Sequence, residues 1–130
     1  MKKNIIRIFI IFCVLITITA CGSKDKLNLK VIATSWSGDQ NMQAPEEEFY
    51  YDVKLDEKYV VKEGGLGLTF TITEINENSI VIETTKPFSD SENGINLSSN
   101  KKEFTIKKGE QIELTTPTMD AGGIYTFILD

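Results

Sequence analysis

LGLTFTITEI, residues 66–75, sets Leu66, Leu68, Phe70 and Ile72 on one side of the chain and Thr69, Thr71 and Thr73 on the other. A period of two is that of an extended strand, whose successive side chains point to opposite faces. Thr, Ile and Phe also suit a pleated, half-buried surface. The same alternation runs through LNLKVIATSW, residues 27–36, with Leu27, Leu29, Val31 and Ala33 on one face. FYYDVKL, residues 49–55, places Phe49, Tyr51, Val53 and Leu55 together. SIVIETT, residues 79–85, follows Asn76-Glu77-Asn78, a hairpin turn by composition. EFTIK and QIELTT flank Lys108-Gly109, and IYTFILD closes the chain with Tyr125, Phe127 and Leu129 in register. No stretch holds an apolar 3.6-residue period for ten residues. Seven or eight short strands about ten residues apart predict an all-β domain, an antiparallel β-sandwich over residues 27–130.

The first twenty residues follow another rule. Met1-Lys2-Lys3-Asn4 is a basic start, Arg7 follows, and IFIIFCVLITI, residues 8–18, is apolar apart from Thr17. A basic head and a short apolar core ending in small residues are the marks of a secretory leader. The run is too short to span a bilayer, which needs about 20 apolar residues. Ile18-Thr19-Ala20-Cys21 then resembles the lipobox of bacterial lipoproteins, although Thr19 is not the favoured residue at its position. The resemblance implies that Cys21 carries a diacylglycerol and becomes the first residue of the mature chain. Residues 1–20 would be the signal peptide, 21–26 a lipidated tether, and 27–130 the folded domain. Two or more acyl chains hold a protein stably to a membrane, because each buried methylene contributes about 0.8 kcal/mol. The implied location is the extracytoplasmic side of the cell membrane.

Cleavage would remove Cys13 together with Lys2, Lys3 and Arg7. Of 14 basic residues 11 remain, all Lys, against 19 acidic ones, a mature charge of −8. An acidic chain without Arg has no electrostatic footprint for nucleic acid, so that partner is excluded. With Cys21 acylated no thiol is left to form a disulfide, and packing alone must stabilise the domain.

Gly22-Ser23-Lys24-Asp25-Lys26 spans at most about 18 Å when extended, so the first strand starts near the bilayer and runs outward. If each connection reverses the chain, residues 37–48, 63–65, 86–101 and 116–123 lie at the far end. Asp56-Glu57, 76–78 and 108–109 then lie at the membrane. This expectation requires a reversal at Asp56-Glu57. Loops on a rigid scaffold carry binding, and the far loops hold Trp36, Met42, Phe88 and Met119 among polar neighbours. Aromatic and Met anchors in such settings make interface hot spots. These four are the candidate binding face, and an envelope protein is the expected partner. A small ligand or a cation is the alternative.

Catalysis has little to work with. The chain contains no His, which removes His-based triads, His metal ligands and the usual proton shuttle near neutral pH. No catalytic residue, cofactor or metal site is assigned. SDSENGINLSSN, residues 89–100, superficially follows an EF-hand loop at Ser89, Ser91, Asn93 and Gly94, but Asn100 stands where a bidentate Glu is needed. PEEEF, residues 45–49, reads as a solvated acidic run.

Two further resemblances concern the sandwich. DAGGIYTF, residues 120–127, resembles the tyrosine corner of immunoglobulin-like domains through Gly123, Tyr125 and Phe127. TKPF at 85–88 and GGIY at 122–125 look like two loop motifs of chagasin-type cysteine-protease inhibitors, in reversed order. That likeness implies an inhibitor surface formed by these two segments side by side.

Overall fold

The computed structural model describes residues 26–38, 44–62, 67–90 and 94–130. The leader, Cys21, most of the tether and Met42 lie outside the described residues. Within them the chain forms strands β1 (Leu29–Ser37), β2 (Glu46–Tyr50), β3 (Lys58–Val61), β4 (Leu68–Ile75), β5 (Ser79–Thr84), β6 (Ser89–Asp90), β7 (Glu103–Lys107), β8 (Gln111–Thr115) and β9 (Ala121–Leu129). They build two antiparallel sheets, in the orders β2-β1-β9-β8-β6 and β3-β4-β5-β7. The architecture is an all-β sandwich. Strands β4-β5-β7 opposite β9-β8-β6 have the neighbour order A-B-E and G-F-C of immunoglobulin sandwiches, while β1 and β2 extend the G edge and β3 the A edge.

The alternating strands supply the core. Leu29, Val31 and Ala33 of β1 and Tyr125, Phe127 and Leu129 of β9 face Leu68, Phe70 and Ile72 of β4 and Ile80 and Ile82 of β5, all buried. Phe70 meets Phe127 edge to face, with ring centroids 5.4 Å apart, a geometry favoured by the ring quadrupoles. The Thr residues of β4 point to the outer face, half-buried.

Three sequence expectations change. The second strand is β2, Glu46–Tyr50, and not residues 49–55. Its register pairs Phe49 with Lys30 and Tyr50 with Leu29, so Tyr50 turns inward and Phe49 outward, a one-residue flip of the expected face. The acidic run is thereby strand, with Glu47 paired to Lys30 at 2.8 Å. Beyond Tyr50 the chain leaves the ladder and turns through Asp52 and Asp56, both at positive φ, while Val53 is held by its N–H to the Leu27 carbonyl at 3.0 Å. The short β6 is an additional strand inside a segment read as loop. The tyrosine corner is not at its expected place, because Tyr125 lies on β9, the G position, whereas the corner belongs to strand F.

The two long sides of the sandwich differ. At the β2–β3 side Tyr50 packs edge-on against Tyr59 at 5.0 Å and against Phe70 at 6.0 Å. The Tyr50 hydroxyl donates to Glu48 Oε2 at 2.7 Å, and Glu48 Oε1 accepts from the Lys62 backbone N–H at 3.1 Å. Burial, then the Glu48 contact, raises the Tyr50 hydroxyl far above its ordinary pKa, keeping it a donor. That side is sealed. At the opposite side β6 pairs only Ser89 with Thr115 and Asp90 with Leu114, so Gln111–Glu113 have no ladder partner on that edge among the described residues.

Every pairing of strands is antiparallel, and the ends therefore sort. Lys26, the 51–57 connection, the 76–78 turn and the 108–110 turn share one end, hereafter the base. Val53 bonds Leu27, and the Lys108 N–H bonds the Asn78 carbonyl at 2.8 Å. Residues 38, 85–88 and 116–120 lie at the far end, where Gly38 N–H donates to the Asp120 carbonyl at 2.8 Å. The reversal at Asp56-Glu57 is present.

At that far end β9 passes under Trp36 at Gly122. A Cβ there would stand 2.0 Å from Thr116 Oγ1 and 2.9 Å from Trp36 Cζ2. Gly122→Ala is therefore expected to cost about 2–3 kcal/mol by overpacking, lowering Tm by roughly 10–20 °C in a domain of this size. A thermal melt by circular dichroism checks it, and an unchanged Tm would show that β9 does not run under Trp36 and Thr116.

Candidate binding surfaces at the far end and the open edge

The four residues expected at the far end separate. Phe88 is 2% exposed and stands edge-on to Tyr125 at 5.7 Å. It belongs to the core and cannot be part of a binding face, because the backbone N–H of Phe88 bonds the Lys101 carbonyl and Ser99 Oγ bonds its carbonyl, drawing the ring beneath the loop. Met42 lies outside the described residues. Met119 is 76% exposed in the β8–β9 connection. Trp36, paired with Gly122 on the outer face of its sheet, is half-buried. Its indole nitrogen is enclosed and meets no hydrogen-bond acceptor among the described residues. A buried donor without a partner costs free energy, so an acceptor brought to this spot is favoured.

The connection between Trp36 and Met119 is fixed by hydroxyls. Thr116 Oγ1 accepts from the Gly123 N–H at 3.0 Å, and Thr118 Oγ1 donates to the Ala121 carbonyl at 2.5 Å. The chagasin-like segments do meet here, through Phe88 and Tyr125. Both rings are in the core, however, and 122–125 is strand rather than loop.

The open edge carries a feature that sequence reading missed. A cleft of about 630 Å³ lies between β8 and β7 and is roofed by residues 94–96. Its floor is apolar, with Phe104 buried and Ile112 half-buried, and Ile95 stands exposed at its rim. Polar groups surround it. Lys101 is ion-paired with Asp90 and also lies over the Phe104 ring, 5.0 Å from its centroid. Asn96 N–H donates to Ser89 Oγ at 3.0 Å, tying the roof to β6. Seven of its eleven lining residues are polar or charged, so it is a mixed groove rather than the mainly apolar pocket of most ligand sites.

Nothing in the cleft arranges nucleophile, base and oxyanion donor together, and among the described residues no group of three His, Cys, Asp or Glu could hold a metal ion. Asp90, which falls between the ligand positions of the EF-hand-like segment, is ion-paired with Lys101. No helix among the described residues is long and apolar enough to cross a membrane. Compared with protein-family models, curated proteins and solved structures, the chain matches none.

Two predictions follow from these positions. Phe88→Ala should lower stability by about 3–5 kcal/mol, as for a core aromatic, while Met119→Ser should stay within about 0.5 kcal/mol; urea unfolding of both variants distinguishes core from surface. The Lys101 hydrogen bond, opposed in part by desolvation, holds the Asp90 carboxyl below its ordinary pKa. A depressed carboxyl adds stability above its unfolded value, about 3.9, and loses it as pH falls through the lower folded value. Lys101→Met should thus return Asp90 to the ordinary carboxylate range and abolish that acid-side loss. Carboxyl NMR titration reads the shift directly, and an unmoved Asp90 would mean that Lys101 does not contact it in solution.

Proposed function

We propose that the protein is a lipid-anchored, extracytoplasmic binding protein without catalytic activity, tethered through Cys21 and engaging an envelope protein with its far end. The observation that carries this reading is the sorting of the ends. The chain enters the sandwich at the base through Lys26, and the end of β1 at Trp36 and the connection bearing Met119 lie at the opposite pole. A partner approaching from the side away from the membrane would meet Met119 and the half-buried Trp36 ring first. A protein partner supplies an apolar surface for both side chains. The acidic charge disfavours nucleic acid and anionic polymers.

The cleft supports a second reading, a carrier for a small amphipathic ligand seated on Phe104 and Ile112 with a polar group toward Lys101. A ligand bound only by the native state adds about 2.7 kcal/mol at a hundredfold excess over Kd, so it would raise Tm visibly.

The protein reading is tested by capture from detergent-solubilised membranes on immobilised Gly22–Asp130. A second bait carries Trp36→Ser and Met119→Ser, and a third carries Ile95→Asp at the cleft, each checked for its fold by circular dichroism. Recovery of one partner should fall about tenfold or more with the second bait, as for loss of hot-spot contacts, and should persist with the third. Loss with the third bait alone would move the site to the cleft.

A further inference from the structure

The base carries more exposed apolar surface than its turns require. Tyr51 is 76% exposed, Leu55 53% and Ile75 40%, and all three stand at the end where Lys26 enters the fold. Their placement is fixed by the backbone. Asp52 N–H bonds Asn28 Oδ1 at 3.1 Å, and Asp56 N–H bonds the Ile72 carbonyl at 2.8 Å, setting Tyr51 and Leu55 beside the first and fourth strands. A bulge between Ile72 and Glu74 brings Ile75 opposite Ile80, at the lower rim of the core. Above Tyr51, Phe49 continues the surface, the two rings stacked at 6.4 Å. Exposed aromatic and aliphatic side chains at the pole where the chain enters are suited to an apolar neighbour.

We propose that this base is seated in the lipid interface, with Tyr51, Leu55 and Ile75 entering the headgroup layer. The proposal rests on the reading of Cys21 as the lipidated residue. It commits to a bilayer because of where the chain leaves the fold. Residues 22–26 separate Cys21 from Leu27, and they reach at most about 18 Å, so these side chains cannot stand far from the anchor. Tyr suits the interface, since its ring is apolar and its hydroxyl remains wet. Lys26, Lys54, Lys58 and Lys108 share the base with Asp52, Asp56, Glu57, Glu77, Glu110 and Asp130, and with the acidic residues in excess the seating is apolar rather than electrostatic. Seating at both the anchor and the base would fix the orientation of the domain and hold Met119 away from the bilayer.

Site-directed spin labelling of the full-length, membrane-processed protein tests this. Single Cys residues are introduced at Tyr51, Leu55, Ile95 and Met119. In the processed protein Cys13 is gone and Cys21 is blocked, so each introduced thiol is labelled alone. The purified lipoprotein is reconstituted in phosphatidylcholine vesicles, and collision rates with oxygen and with a water-soluble nickel chelate are compared. The acyl content of Cys21 is read on the same sample by mass spectrometry of the N-terminal peptide. Labels at 51 and 55 should collide with oxygen and be shielded from nickel, while those at 95 and 119 show the reverse, unaltered by 1 M salt. Acylated Cys21 with labels at 51 and 55 as nickel-accessible as 119 would overturn the seated base and leave the anchor standing. A membrane-processed chain without acyl groups on Cys21 would remove the anchor, and the seated base with it.

Discussion

Phe70 meeting Phe127 edge to face at 5.4 Å is the contact on which the sandwich depends. One ring comes from β4 and the other from β9, and no disulfide among the described residues joins the sheets. Burial of this pair with Leu68, Ile72, Tyr125 and Leu129 sets the separation of the layers, and the rest adjusts to it. On the β2–β3 side Tyr59 stacks on Phe70 at 5.3 Å and Tyr50 closes over both. On the β6–β8 side Phe88 closes the far end against Tyr125, while the space over Phe104 and Ile112 is left as the cleft. One aromatic centre thus yields a shut side and an open one.

Much of this was legible as periodicity. Strands β1, β4 and β9 alternate cleanly because one face of each is fully buried, and their inward residues were read correctly down to Ala33, Ile72 and Leu129. FYYDVKL misled because its first three residues, Phe49, Tyr50 and Tyr51, are aromatic in both parities. Which parity turned inward was decided by pairing with β1, where Lys30 stands opposite Phe49 and Leu29 opposite Tyr50, a non-local fact. Strand β6 escaped because two residues carry no period. Phe88 stayed open between core and binding face for a related reason: a lone aromatic in a polar segment looks the same whether the backbone folds it inward or outward. Its place is set by the hydrogen bond that its N–H donates to the Lys101 carbonyl and the one that its carbonyl accepts from Ser99. The cleft was invisible in the sequence since its floor and roof come from β7, β8 and the 94–96 turn, brought together only by the fold.

The functional account follows from polarity along the long axis. Antiparallel pairing and the entry of the chain at Lys26 divide the domain into a base and a far end. The apolar residues left exposed at the two poles have different surroundings. Tyr51, Leu55 and Ile75 cluster beside the entry point, whereas Met119 and Trp36 stand opposite it, with an indole donor lacking an acceptor among the described residues. The proposed tether at one pole and the proposed docking surface at the other fit together, because a short lipid anchor would confine the base and leave the far pole accessible.

All of this depends on the fate of Cys21, and metabolic labelling with radioactive palmitate tests it most directly. Wild-type protein and Cys21→Ser are expressed in the native host and immunoprecipitated from membrane and medium fractions. The account predicts label in the wild-type chain only, together with an N-terminus at Cys21, while the Ser variant is unlabelled and is either shed or left unprocessed. An unlabelled wild-type chain, or a fully processed Ser variant retained at the membrane, would contradict it.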